Sequence, residues 1–328
     1  MKPTDFARHL TKYLTIYLPG QRGISKNTIQ SYTDTFRLLL IYCRDKLGRK
    51  PEKMTLEHFD SGLITGFLDW LETERNNSVA TRNQRLSGIQ AFCRYVMNEA
   101  PEQLALLQKN LSVSRKKYAK PQIGYLSVEE TTAILEKPNT MTLSGRRDLA
   151  LLTLLYDSGA RVSELVGLKV RDLRLDKYPI ITLHGKGGKS RQVPLMKKTS
   201  ILLSQYLAEN HLDRPGHLDF HLFTNRQRKP LTGAGVTYIL QKYANRKDIT
   251  PHIMRHTKAM HLLQAGVNIV YIRDILGHSS IETTNIYARA DTEMKRKALE
   301  SVADEITPNV PDWKSDNALM EWLNSLGS

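Results

Sequence analysis

The residues best suited to chemistry lie between positions 252 and 287. The run His252-Ile253-Met254-Arg255-His256 opens this stretch, Leu276-Gly277-His278 follows, and Asn285-Ile286-Tyr287 closes it. Imidazole, guanidinium and phenol groups gathered this closely suit the handling of a phosphate better than any structural need. His252 and Arg255 are three residues apart, which puts them on one side of a helix. Upstream, Arg161 and Glu164 share that spacing, and Lys186 stands in Gly185-Lys186-Gly187-Gly188-Lys189-Ser190.

Two other chemistries are tested by the same residues. His252 and His256 have the i, i+4 spacing of a zinc pair, but the metalloprotease pattern needs a glutamate where Ile253 stands. With no cysteine cluster and no suitable carboxylate nearby, no metal is expected. The glycine-rich run around Lys186 resembles a nucleotide-phosphate loop, yet that motif requires glycine at the position of Leu183 and a strand-to-helix context. The flanks, Ile180-Ile181-Thr182-Leu183 and Arg191-Gln192-Val193-Pro194, read instead as a β-hairpin around a Gly187-Gly188 turn. Its plain reading is a tight basic turn, and its functional one a lysine held rigidly toward a phosphate.

The elements that must position these groups are mostly helical. Residues 1–18 predict a short amphipathic helix. Ser25 caps a second, whose Ile29, Tyr32, Phe36, Leu39, Leu40 and Cys43 mark one buried face. Gly48-Arg49-Lys50-Pro51 breaks it. A third is expected from Thr55 to about Glu74, and a fourth from Ser78 with Leu86, Ile89, Cys93 and Val96 inward. Four such helices on short loops make a compact bundle over residues 1–112. Residues 113–122 lack apolar periodicity and read as an exposed basic linker, a flexible strap able to close on a duplex. The expected catalytic domain covers residues 123–303. Ser127 and Glu130 have capping-box spacing there, and helices are expected at about 144–157, 197–210, 233–246, 252–265, 268–276 and 280–298. Residues 304–328 form an acidic tail in which Leu319, Met320, Trp322, Leu323 and Leu326 have helical spacing. The fold class is mainly α with a small antiparallel β-sheet.

Composition points to the partner. The 328 residues hold 48 Lys and Arg against 33 Asp and Glu, a formal net charge of +15. That excess favours a polyanion, with nucleic acid first. Residues 1–120 hold 20 Lys and Arg and 11 Asp and Glu, so more than half of the excess sits there. Lys26, Arg37, Arg44, Asn83, Arg85, Gln90 and Arg94 on the bundle, with Arg115, Lys116, Lys117 and Lys120 on the linker, are the candidate DNA contacts. Solvated charge on a small bundle is the plain alternative. Cys43 and Cys93 fall inside apolar helical patterns and read as buried thiols of a reducing compartment. The N-terminal segment does not read as a signal peptide and no window reaches about 18 consecutive apolar residues, so a cytoplasmic protein with no membrane partner is expected.

Arg161-x-x-Glu164-Leu165, the glycine-flanked Lys186, His252-x-x-Arg255-His256, Leu276-Gly277-His278 and Tyr287 form an ordered set. In that order and at those spacings the chain resembles the tyrosine recombinases, or phage-type integrases, over roughly residues 1–300. The resemblance implies that Tyr287 attacks the scissile phosphodiester, leaving a 3′-phosphotyrosyl enzyme and a free 5′-hydroxyl. It gives Arg161 and Arg255 the phosphate, Lys186 the departing 5′ oxygen, His252 the part of general base or phosphate donor, and His278 that of a second hydrogen-bonding imidazole. Glu164 takes the acidic position that orients the site, and His256 a structural place behind it. Met254 stands where the family commonly has leucine, a conservative exchange.

The residues make physical sense of those parts. A planar guanidinium can hold two phosphate oxygens and the charge of a pentavalent transition state. A free phenol of pKa about 10 is only ~0.1% ionised at pH 7, and surrounding cations favour its phenolate. The covalent link conserves phosphodiester energy, so no cofactor is expected. The implied assembly is a homotetramer on two double-stranded DNA sites, with the C-terminal helix docking on a neighbouring protomer. Two other functions remain open: DNA relaxation of the type IB topoisomerase kind, and a DNA-binding regulator with an inactive site.

Overall fold

The computed structural model describes residues 2–119, 124–277 and 316–326; of Lys186 and residues 316–320 only the backbone is described. The chain divides into two compact units, residues 1–121 and 122–328.

The first unit is helical. α1 (Asp5–Lys12) is capped by Thr4 and runs on through wider π-type turns over Tyr13–Gln21. α2 (Lys26–Leu47) starts at Ser25, whose hydroxyl accepts from Thr28 N–H, and stops at Gly48 in the left-handed region. α3 (Ser61–Thr73) begins later than the periodicity suggests. Asp60, not Thr55, supplies the cap, accepting from Leu63 N–H at 2.7 Å, while the Thr55 hydroxyl pairs with His58 Nδ1 at 2.9 Å. α4 (Val79–Glu99) follows, and a further short helix, α5 (Leu104–Leu111), adds to the expected four. Their apolar faces meet around Phe92, whose ring lies 5.0 Å from Phe36, 5.3 Å from Tyr13 and 5.8 Å from both Phe6 and Phe59, centroid to centroid. Both cysteines are buried in this unit.

The second unit packs helices around a small sheet. α6 (Val128–Glu136) carries the full Ser127–Glu130 capping box. α7 (Leu143–Ser158) ends at Gly159, and α8 (Val162–Gly167) starts at Arg161. Strands β1 (Leu173–Arg174), β2 (Ile180–His184) and β3 (Ser190–Pro194) form an antiparallel sheet in that order, with Leu183 opposite Arg191 and Ile181 opposite Val193. The hairpin is the expected one; the short β1 is added to it. α9 (Lys197–Glu209), α10 (Gly233–Ala244), α11 (Pro251–Gln264) and α12 (Ile269–Leu276) complete the described fold. Leu151 and Leu155 of α7, Leu165 of α8, Ile181 and Leu183 of β2, Leu240 of α10 and Met254 of α11 are fully or almost fully buried in one core. Ala259, Met260 and Leu263 of α11 pack on Ile272 and Leu276 of α12 in a second. α13 (Asp316–Ser325) is the helix expected in the tail. Among the described residues no helix is long and apolar enough to cross a membrane.

Candidate active site

The site is assembled where two helices end. α7 stops because Gly159 adopts φ +57°, a conformation glycine takes without steric cost. A β-carbon there would lie 2.8 Å from Leu276 Cδ2, so glycine also lets the end of α7 approach the end of α12. α12 ends the same way, at Gly277 with φ +62°. Each terminus presents carbonyls that no helical N–H can reach.

Arginines satisfy them. Arg255, only 3% exposed, reaches out from α11 and donates from Nη1 to Gly159 O at 2.6 Å and from Nη2 to Leu276 O at 2.5 Å. Arg161 donates from Nη2 to Gly277 O at 3.1 Å. A guanidinium at a helix C-terminus is favoured by the helix dipole as well as by the hydrogen bonds. Arg161 differs from Arg255 in exposure: 44% of its side chain is accessible. One guanidinium is thus part of the frame and the other faces out.

Glu164 fixes Arg161 from below. Its Oε2 accepts from the Arg161 backbone N–H at 2.8 Å and its Oε1 from Arg161 Nη1 at 2.9 Å. Arg191 of β3 adds a fork to the same carboxylate, Nη1 to Oε1 at 2.8 Å and Nη2 to Oε2 at 2.9 Å. Burial pushes the Glu164 carboxyl upward, but the hydrogen bonds from Arg191 and Arg161 outweigh it and leave its pKa below the usual glutamate value. The Glu164 carboxylate is therefore charged at neutral pH.

His252 follows Pro251 in the first turn of α11 and is exposed, one turn before the buried Arg255. Desolvation, then the charges of Arg255 and Arg161, lower its pKa. It is neutral at pH 7, so one ring nitrogen can accept a proton while the other donates. His256 is buried in α11 at 2% exposure, on the helix's inner side. At the hairpin, Gly185 N–H donates to Lys189 O at 2.7 Å, and Gly187 and Gly188 take φ +76° and +74°. The Lys186 backbone thus lies in a turn that only glycines form without strain. His278 and Tyr287 lie outside the described residues, although His278 directly follows Gly277, whose carbonyl holds Arg161.

The sequence reading brings Arg161, Glu164, His252 and Arg255 together, and the fold does so. It passed over Arg191. The available signal was the period-2 pattern of β3, where Arg191 shares the inward face with the buried Val193. A charge on an inward strand position needs a partner.

In the first unit the candidate DNA contacts divide. Lys26, Arg37, Arg44 and Arg94 are exposed, Arg37 pairing with Asp34 and Arg44 with Asp45. Arg85 donates to Ser31 O and Thr35 Oγ1. Asn83 makes a reciprocal pair with the Lys116 peptide, Nδ2 to O at 2.8 Å and N–H to Oδ1 at 3.1 Å. The buried Gln90 donates to Leu111 O and Val113 O, and Arg115 to Ser87 Oγ. The first half of the basic stretch is thereby pinned to α4 and does not hang free. Lys117 is exposed, and Lys120 lies outside the described residues.

The phage integrase family model matches residues 125–294, and the model for the phage integrase N-terminal SAM-like domain matches residues 11–100. The chain belongs to the phage integrase family, the tyrosine recombinases. It is 36% identical to a putative integrase/recombinase, y4rC, of Sinorhizobium fredii, over 99% of both chains. It is 32% identical to the tyrosine recombinase XerD of Listeria monocytogenes over 89% of this chain and 96% of that one. Among solved structures, the Tn1549 transposon integrase in complex with a circular intermediate DNA has a TM-score of 0.67 at 20% identity, covering 89% of this chain and 98% of that one. XerH bound to its palindromic difH substrate has a TM-score of 0.66 at 22% identity, covering 86% and 81%. These two show the same fold.

Proposed function

We propose that the chain cuts and rejoins DNA strands at specific sites through a covalent link to Tyr287. The observation that carries this reading is the convergence of Arg161 and Arg255 on the ends of α7 and α12, with Glu164 bound to Arg161 and His252 within the influence of both guanidinium charges. The glycine turn bearing Lys186 belongs to the same unit. Arg161 and Arg255 bind the scissile phosphate. The Tyr287 phenol oxygen attacks phosphorus, His252 receives the phenolic proton, and the bond from phosphorus to the 5′ oxygen breaks. Lys186 supplies the proton for that oxygen and His278 donates a hydrogen bond to the phosphoryl group. A 5′-hydroxyl from the second duplex then attacks the phosphotyrosyl, and Tyr287 recovers its proton. One phosphodiester is made for each one broken.

The relatives named as recombinases and integrases give the physiological setting: integration, excision, transposition or resolution of DNA. The working assembly is a homotetramer on two sites, with α13 docked on a neighbouring protomer, and the exposed cations of the first unit bind duplex phosphates. DNA relaxation of the topoisomerase kind and an inactive regulator are not favoured. Cognate DNA is selected from a random duplex pool and two copies are placed on one supercoiled plasmid. Recombinant products are expected. Relaxation without recombinants would support the topoisomerase reading, and binding without any strand breakage would support the regulator.

A further inference from the structure

Two guanidinium groups share the buried carboxylate of Glu164, and they hold it unequally. Arg191 grips it with both Nη atoms, at 2.8 and 2.9 Å, and its own side chain is only 13% exposed. Arg161 gives it a single side-chain bond and stays 44% exposed. One carboxylate between two guanidiniums leaves a net charge of +1, and the accessible cation is Arg161.

We propose that Arg191 is a positioning residue that neutralises Glu164, so that Glu164 can orient Arg161 without consuming its charge. The inference rests on the reading of Arg161 as a phosphate ligand. Without Arg191 the carboxylate would face a single cation, and carboxylate–guanidinium pairs favour the bidentate geometry. Arg161 would close onto Glu164 and lose both its net charge and its outward donors.

Arg191 also ties together the parts of the site that arrive from different elements. Its Nε donates to Ile275 O in the last turn of α12 at 2.7 Å. A β-carbon on Gly277 would lie 2.8 Å from Arg191 Cδ and Nη1, so glycine is required there for the approach of this side chain as well as for the backbone turn. On the other side of the carboxylate, a β-carbon on Gly185 would lie 3.5 Å from Glu164 Oε1. The base of the Lys186 turn therefore passes close to the same carboxylate. One side chain thus links the hairpin to α8 and to the end of α12.

The test separates charge balance from mere support. Covalent cleavage of a nicked cognate duplex is timed at saturating DNA, below the melting temperature of each variant, for the wild type, Arg191→Met, Arg191→Lys, Glu164→Gln and the double variant Arg191→Met/Glu164→Gln. Arg191→Met is expected to slow cleavage on the order of 100-fold, the scale of losing one preorganised transition-state donor. Arg191→Lys keeps the charge without the fork and is expected to lose roughly 10-fold. The deciding result is the double variant: removing the unbalanced carboxylate is expected to restore roughly 10-fold over Arg191→Met. A double variant no faster than Arg191→Met, or an Arg191→Met enzyme as fast as wild type, would overturn the inference. If Arg191→Met does not fold, Arg191→Lys with and without Glu164→Gln carries the same comparison. Wild-type protein that forms no adduct at all would refute the recombinase reading itself, a separate outcome.

Discussion

Arg161 and Arg255 carry the same group, and the structure gives them different work. Arg255 is buried and holds the carbonyls that end α7 and α12, so Arg255→Ala strands two buried acceptors. A loss of about 2–4 kcal/mol in urea denaturation is expected. Arg161 is more than a third exposed, and Arg161→Ala is expected to cost under about 1 kcal/mol after solvent screening. Equal losses would mean that Arg255 holds the frame no more than Arg161 does. His252 gives a pH test. Desolvation, Arg255 and Arg161 hold its pKa below the usual histidine value of about 6.5. Between that lowered value and 6.5 the unfolded chain binds more protons, so this group's contribution to stability rises with pH across the window. Cleavage is expected to fall only below pH 6.5, as the imidazole becomes charged and can no longer accept a proton. An NMR titration placing His252 at or above 6.5 would contradict this. Spacing alone gave only the pairs Arg161/Glu164 and His252/Arg255; the resemblance joined them into one set, which the fold brings together. Arg191 was not legible, because its partner lies across the fold and a lone arginine in a strand gives only the inward period-2 position as a sign.

At the level of elements, legibility followed the strength of local chemistry. The Ser25 and Ser78 caps, the Ser127 capping box and the glycine turn at 187–188 each rest on hydrogen bonds or φ values within a few residues, and each stands where expected. The start of α3 did not, since Thr55 and Asp60 both offer a capping oxygen and His58 takes the first. α5 escaped because it is short and buries only Leu107 and Asn110, too few positions to show a period. Asn110 is held by a tertiary bond to Phe59 O at 2.6 Å, which no local pattern reveals. The aromatic cluster gives the first unit its test. Phe92→Ala removes the ring that touches Phe6, Tyr13, Phe36 and Phe59, and is expected to destabilise that unit by about 3–5 kcal/mol. A loss under about 1 kcal/mol in chemical denaturation would mean the cluster is not the core of the unit.

For the whole molecule, charge and assembly are the properties that matter. The +15 net charge reads as an adaptation to a polyanion, and the acidic tail that ends the chain carries α13, with Leu323 and Leu326 exposed. An amphipathic helix with an exposed apolar side fits docking on another protomer. Deleting residues 316–328 is expected to leave DNA binding by single protomers intact and to reduce tetramer formation on two sites, read by sedimentation of the DNA complexes. Unchanged tetramer formation would assign the helix another role. The central claim, that Tyr287 becomes covalently joined to DNA, is tested most directly on a nicked cognate duplex that traps the cleaved strand. Wild-type protein is expected to yield an adduct that survives denaturing electrophoresis, and Tyr287→Phe to yield none; an adduct that persists in Tyr287→Phe, or wild-type protein that forms none, would contradict the claim.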